Sequence, residues 1–284
     1  MAISILTNTA SLAAQRNLNK TQAGLAGSIG RLSSGLRINQ ASDDAAGLGI
    51  SENLKADIRS LDQARRNAND GVSMMQVAEG AMNEISGIVI RMRELAVQSS
   101  NGTLGDTERS YIDTEFDELK EEINRISNTT EFNGQKLLDG SASAGLTMQI
   151  GIQNTANDRL AVSITQMADT TLGDNGVTGS LTIASVTLST AAGSQAALDS
   201  FDTAIEQLST ARAKVGAFQN RMQITVSNLG VAHENLSAAN SRIRDVDVAM
   251  EAADMTKHQI LSQAGLSVLG QANGLPQAAL SLIG

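Results

Sequence analysis

Between Ala45 and Ser99, Leu54, Leu61, Ala68, Met75, Met82, Val89 and Ala96 recur every seventh residue, and a second row three residues along holds Ala64, Gly71, Ala78, Ile85 and Met92. Together the rows draw one apolar seam down a helix that would run roughly 80 Å at 1.5 Å per residue. A strict seven-residue repeat keeps that seam facing one partner and implies left-handed, nearly parallel packing of helix axes. A helix of this length requires a long partner, and the rest of the chain can be searched for it.

The partner follows Ser194, where Leu198, Phe201, Ile205, Leu208, Val215, Phe218, Met222, Val226, Leu229 and Leu236 mark a second long amphipathic helix. Between the two lies a shorter helix with Ile112, Phe116, Leu119, Ile123 and Ile126 on one face and Glu115, Asp117, Glu118, Glu121 and Glu122 on the other, a solvated face. Asn133-Gly134 and Asp139-Gly140 are turn dipeptides. Leu146, Met148, Ile150 and Ile152 then alternate with polar residues, as do Leu160, Val162 and Ile164, predicting a β-hairpin at about 146–164 with one buried face. Residues 167–193 are rich in Gly, Ser and Thr and read as a short variable surface segment, with a candidate strand at Leu181 to Leu188.

The chain ends are helical but incomplete. Residues 4–36 carry Leu18, Leu25, Ile29, Leu32 and Leu36 at helical spacing; the C-terminal run carries Ile243, Val246, Met250, Ile260, Val268 and Leu269, with Pro276 expected to close it. Ser42-Asp43-Asp44 supplies a helix cap and first-turn acids, while Gly47 and Gly49 weaken that first turn. One helix cannot bury its own stripe, so the two arms must pair with each other, with other copies, or with both. A two-helix arm still leaves apolar surface, which signals association. The arms are expected to be largely disordered in the monomer and to fold as subunits join.

The fold class is therefore mainly α: a long antiparallel, coiled-coil-like helical bundle with a small β-hairpin region and paired N- and C-terminal helices. The expected domains are 1–42 plus 243–284, a helical assembly domain; 43–166 plus 194–242, an elongated helical domain with the hairpin; and 167–193.

Composition excludes most alternatives. Aromatics make up 2% of the chain, with no Trp and one Pro, which favours helix-on-helix packing over an aromatic-lined pocket. No cysteine is present, removing disulfides, thiolate zinc sites and cysteine catalysis together. The net charge of -9 and the few dispersed basic residues of 1–40 give no nucleic-acid footprint, and no apolar run reaches the length of a membrane span. His233 and His258 stand far apart without ligand-spaced companions. Met74, Met75, Met82 and Met92 read as core filling. No catalytic, metal or cofactor site is expected, nor the basic start and apolar run of a secretory signal peptide.

Several stretches then carry a resemblance. Ile29-Gly30-Arg31-Leu32-Ser33-Ser34-Gly35-Leu36-Arg37-Ile38-Asn39, Ala41-Ser42-Asp43-Asp44-Ala45-Ala46-Gly47 and Ala64-Arg65-Arg66-Asn67-Ala68-Asn69-Asp70-Gly71 resemble bacterial flagellin. So do Arg91-Met92-Arg93-Glu94-Leu95-Ala96-Val97-Gln98, Phe132-Asn133-Gly134 and Ser241-Arg242-Ile243-Arg244-Asp245-Val246-Asp247. In order, they cover roughly residues 1–165 and 195–284.

The resemblance implies a non-enzymatic subunit that polymerises head to tail into the extracellular helical filament of the bacterial flagellum for swimming, exported without a cleaved signal peptide. It implies partners too: further copies of the chain, a flagellar secretion chaperone on the C-terminal segment from about Arg242, and the flagellar cap and hook-junction proteins. The resemblance of Arg91-x-x-x-Leu95 with Glu115 to a family motif implies a subunit contact and recognition of the monomer by Toll-like receptor 5. On spacing alone those three residues read as a surface ion network beside a packing leucine. Two other readings stay open at this point: a hook–filament junction protein, and an intracellular coiled-coil scaffold.

Overall fold

The computed structural model describes residues 7–174 and 182–280. Among these residues five helices dominate: α1 (Thr9–Ser34), α2 (Ala45–Ser99), α3 (Asp106–Thr129), α4 (Ala191–Arg244) and α5 (Val248–Leu280). The described residues also form four short strands, β1 (Glu131–Phe132), β2 (Gln135–Lys136), β3 (Leu146–Gln149) and β4 (Arg159–Val162). They assemble into two compact units, Met1–Ile58 with Glu234–Gly284, and Arg59–His233.

In the second unit the heptad seam does what its spacing implies. Ala68, Met75, Ala78, Met82, Ile85, Val89, Met92 and Ala96 are all sealed from solvent. Three cross-links show α2 and α4 to be antiparallel: His233 Nε2 lies 3.4 Å from Asp62 Oδ2, Gln219 Nε2 donates to Glu79 Oε2 at 2.9 Å, and Arg93 Nε donates to Asp202 Oδ1 at 2.7 Å. Helix α3 completes the core through Phe116, whose ring meets Phe201 edge-on at 5.8 Å. β3 and β4 pair antiparallel with Leu146 opposite Val162 and Met148 opposite Leu160, and Leu160, Val162 and Ile164 are buried. Asn133 (φ 51°) and Gly134 (φ 78°) make the turn between β1 and β2, two-residue strands that the dipeptide alone did not announce.

The described parts of 167–193, residues 167–174 and 182–193, differ from the expectation of a surface loop. Met167, Leu172, Ile183, Val186 and Leu188 are buried in the core. No strand forms in the described part of Leu181–Leu188 (Leu181 itself lies outside it); Ile183–Ser185 form a single 3-10 turn. The physical reason is that side chains and the loop backbone, not a neighbouring strand, satisfy this segment: Ile183 N donates to the Leu172 carbonyl at 3.0 Å and Ala184 N to the Asp169 carbonyl at 3.1 Å. Asp113 Oδ1 accepts from Leu188 N at 2.6 Å, Lys120 Nζ donates to the Val186 carbonyl at 3.0 Å, and Ser99 Oγ donates to the Leu188 carbonyl at 2.6 Å.

In the first unit α1 and α5 pair side by side. The expected start of α1 at residues 4–6 lies outside the described residues; the helix is capped by Asn8, whose Oδ1 accepts from Ser11 N at 3.0 Å. The connector after Gly35 and the one before α5 clasp each other, with Val246 N donating to the Gly35 carbonyl at 3.1 Å and Arg37 N to the Arg244 carbonyl at 2.6 Å. Ile38 is buried at their junction. Asp44 Oδ1 accepts from Gly47 N at 2.8 Å and starts α2 at Ala45, so the glycines do not delay it. A Cβ at Gly47 would come within 2.8 Å of Ile38 Cδ1, which explains a helix-weakening residue in that turn.

In the single chain both arm helices are paired, each covering part of the other's stripe. One expectation about them is corrected: Pro276 does not close α5, which runs on to Leu280. A proline has no N–H for the carbonyl four residues back, here Ala272. Asn8 Nδ2 fills that role from α1, donating to the Ala272 carbonyl at 2.7 Å, so one side chain caps one helix and repairs the other.

Candidate assembly surface

The arm residues singled out from sequence fall into two sets. Leu18 is buried, and Leu25, Leu32, Leu36, Ile243, Val246 and Leu269 are half-buried. Gly265 stands opposite Leu18, where a Cβ would lie 3.3 Å from Leu18 Cδ1, and the His258 ring occupies the space that a side chain at Gly24 would need. Small residues thus let α1 and α5 approach closely.

The second set points outward. Ile29, Met250, Ile260 and Val268 are exposed, Ile260 by 61% and Val268 by 53%. The structure adds Leu12, Val248, Leu261 and Leu266 to this set. Sequence reading missed the three on α5, Val248, Leu261 and Leu266, because a stripe was sought on one face, whereas α5 is apolar on more than one. The available signal was charge: beyond Thr256 only Lys257 and His258 interrupt an otherwise uncharged helix. Each such side chain contributes about 1–2 kcal/mol when removed from water, and together they can offset the order of 10 kcal/mol that association costs.

Polar contacts fix how the arm helices register. Arg31 Nη2 meets Glu251 Oε1 at 2.7 Å across the pair, and Ser11 Oγ donates to Asn273 Oδ1 at 2.7 Å. The hydrogen bond from Arg31 holds the Glu251 carboxyl below the usual glutamate range. In the same unit a hydrogen bond from Arg244 lowers Glu52, and backbone N–H groups of Gln40 and Asn39 lower Asp43. A carboxylate depressed in the folded state stabilises it above its unfolded pKa and loses that contribution as pH falls through the folded value. The first unit should therefore loosen below about pH 4.5, by about 1 kcal/mol for the Arg31–Glu251 pair. Hydrogen exchange across α1 and α5 between pH 6 and pH 3 reads this loss. Glu251→Gln should flatten the acid response and lower protection already at neutral pH.

The other candidate residues lie in the second unit. Arg91 Nη2 and Nε reach Glu115 Oε1 at 2.9 and 3.1 Å, and Arg91 Nη1 reaches Glu94 Oε2 at 3.0 Å. All three side chains are about half exposed, and the carboxylates, Glu115 first, raise the Arg91 pKa. Leu95 is not part of this surface. It is 1% exposed and belongs to the core, which corrects its assignment as a contact residue: its heptad neighbours Met92 and Ala96 turn the same face inward. What α2 and α3 present here is a bridged arginine with its leucine serving as a support.

Among the described residues no group of three or more His, Cys, Asp or Glu side chains could hold a metal ion, and no helix is long and apolar enough to cross a membrane.

Comparison with known proteins gives the family. The family model for the bacterial flagellin N-terminal helical region matches residues 5–143, and that for the C-terminal helical region matches residues 198–283. Flagellin of Halalkalibacterium halodurans is 44% identical over 267 residues, covering 94% of this chain and 93% of that one. Flagellin of Bacillus subtilis is 42% identical over 97% of this chain and 98% of its own. Flagellin B of Vibrio cholerae is 38% identical over the whole of both chains. That alignment spans 376 positions against the 284 residues here, so the Vibrio protein carries residues that this chain lacks. The chain belongs to the bacterial flagellins, structural subunits of the flagellar filament.

Proposed function

We propose that residues 1–42 and 243–284 form the polymerisation element, and that the outward set on α1 and α5 drives head-to-tail assembly into an extracellular filament that serves swimming. The observation that carries this reading is the exposure of Ile29, Met250, Ile260 and Val268 on a pair of helices that has already buried what it can of its own stripes. The contact is heterologous, since an isologous one would stop at a dimer. Electron microscopy of the purified chain tests it: long filaments from this protein alone are expected, and short capped stubs would favour a junction protein instead. Deleting residues 1–40 should leave a folded, soluble remainder that forms none, and filaments of normal length from that deletion would overturn the reading.

The same reading extends to partners. The segment from about Arg242 onward is the site for a secretion chaperone that covers the apolar α5 before assembly, and the flagellar cap and hook-junction proteins engage the subunit at the filament's ends. Arg91 and Glu115 form a lateral subunit contact, recognised in the monomer by Toll-like receptor 5. Because this pair is exposed, Arg91→Ala should leave the thermal unfolding of the chain unchanged. It should still weaken receptor binding by roughly tenfold, the loss typical of an interface arginine. Binding of the folded variant to the receptor ectodomain decides this, and unchanged affinity would remove Arg91 from the contact.

A further inference from the structure

The methionines of the second unit divide sharply by exposure. Met75, Met82, Met92 and Met222 are sealed completely, and Met74 and Met167 nearly so. Met148, on β3, is only half-buried. It lines a cleft of about 300 Å³ between the hairpin and α2, with Asn67, Asp70, Thr147 and Gln149 supplying polar walls. That cleft is the approach from solvent to this residue.

The position of this sulfur is unusual. Met148 Sδ and Met222 Sδ press on Gly71 from β3 and α4, so that a Cβ at Gly71 would lie 2.5 and 2.7 Å from them. Gly71, in the middle of the heptad seam, is thus where the hairpin meets the helices, with two methionine sulfurs over it. A side chain there would oblige them to shift, and an oxygen added to Met148 on this side would meet Gly71 and Met222.

We propose that Met148 is a peroxide-sensitive modification site whose oxidation releases the β3–β4 hairpin from α2. A sulfur lone pair attacks one oxygen of hydrogen peroxide, the O–O bond breaks and an S–O bond forms. Sulfur is oxidised by two electrons, and the departing hydroxide takes up the remaining peroxide proton to leave as water. The product is a polar, chiral sulfoxide in place of a flexible apolar thioether. Its oxygen has acceptable polar surroundings in the cleft but none against Gly71 and Met222. The hairpin must shift outward to accommodate it.

The test treats the full folded chain with hydrogen peroxide, followed by peptide mass mapping and hydrogen exchange. Met148 should gain one oxygen on the order of tenfold faster than Met75, Met82, Met92 or Met222, as accessibility dictates. Exchange of the amides in 146–162 should accelerate in the oxidised protein. Met148→Leu conserves volume, so it should fold normally and lose that acceleration, while the exposed Met250 still oxidises as an internal reference. Oxidation of Met148 no faster than that of the sealed methionines overturns the proposal. So does equal loosening of the hairpin in oxidised Met148→Leu.

Discussion

Purified chain carrying Ile260→Asp and Val268→Asp together should remain monomeric under conditions where the unaltered chain forms filaments. Both side chains are more than half exposed on α5, with Val268 at the rim of the groove that holds Leu18, so the α1–α5 pairing through Leu18 and Gly265 should persist in the variant. In the assembled state each aspartate would sit at an apolar contact without a partner, at a cost of several kcal/mol. Even 4 kcal/mol in all raises the critical concentration by about a thousandfold. Sedimentation and electron microscopy measure the loss of polymer, while circular dichroism and thermal unfolding should match the unaltered chain. Leu25→Asp with Leu32→Asp would also prevent assembly, but those leucines are half-buried within the arm and their loss would unpair the helices as well. The α5 pair separates the two effects. Filaments of normal length from the double variant would place the polymer contact elsewhere.

How much of this was legible beforehand follows from the kind of interaction involved. Helix α2 was readable along its length because a heptad repeat is a local, redundant signal, while Gly47 and Gly49 left its first turn open until Asp44 was seen to cap it. The hairpin was readable because alternation and a turn-rich loop agree with one another. The segment after Met167 was not, since its burial depends on Asp113, Lys120 and Ser99, side chains far away in sequence that satisfy its backbone one group at a time. Pro276 misled for a similar reason: a local rule ends a helix there, and only Asn8, at the opposite end of the chain, provides the missing donor. For the candidate site, the resemblance grouped Arg91, Leu95 and Glu115 as one contact, whereas their spacing alone read as a surface ion network beside a packing leucine. Leu95 lies on the buried seam and the charged pair beside it does not.

Arg109 is the case where sequence offers least and the expected effect on stability is largest. In the first turn of α3 it reads as one more solvated charge, and it sits at the end of a helix dipole that disfavours a cation. The structure buries it to 6% exposure and turns it back toward the C-terminal end of α2. There its three guanidinium nitrogens donate to three carbonyls: Nε to Ser99 at 2.9 Å, Nη1 to Leu104 at 2.7 Å and Nη2 to Asn101 at 2.8 Å. Helix ends leave such carbonyls without donors, and the negative end of the α2 dipole favours a cation there. Arg109→Ala should cost about 3 kcal/mol, or roughly 6–12 °C of Tm for a unit of this size. Arg109→Lys should recover less than half of that, because one ammonium on a flexible stem cannot span three acceptors held by a planar fork. Thermal unfolding with hydrogen exchange over residues 99–106 checks both variants. A lysine variant as stable as the unaltered chain would reduce Arg109 to a simple charge. The consequence reaches the surface as well. Arg91 projects from α2 and Glu115 from α3, and the clamp at Arg109 fixes how those two helices meet. Loosening it should weaken the Arg91–Glu115 pair, and with it the contact proposed for that pair, without altering either residue.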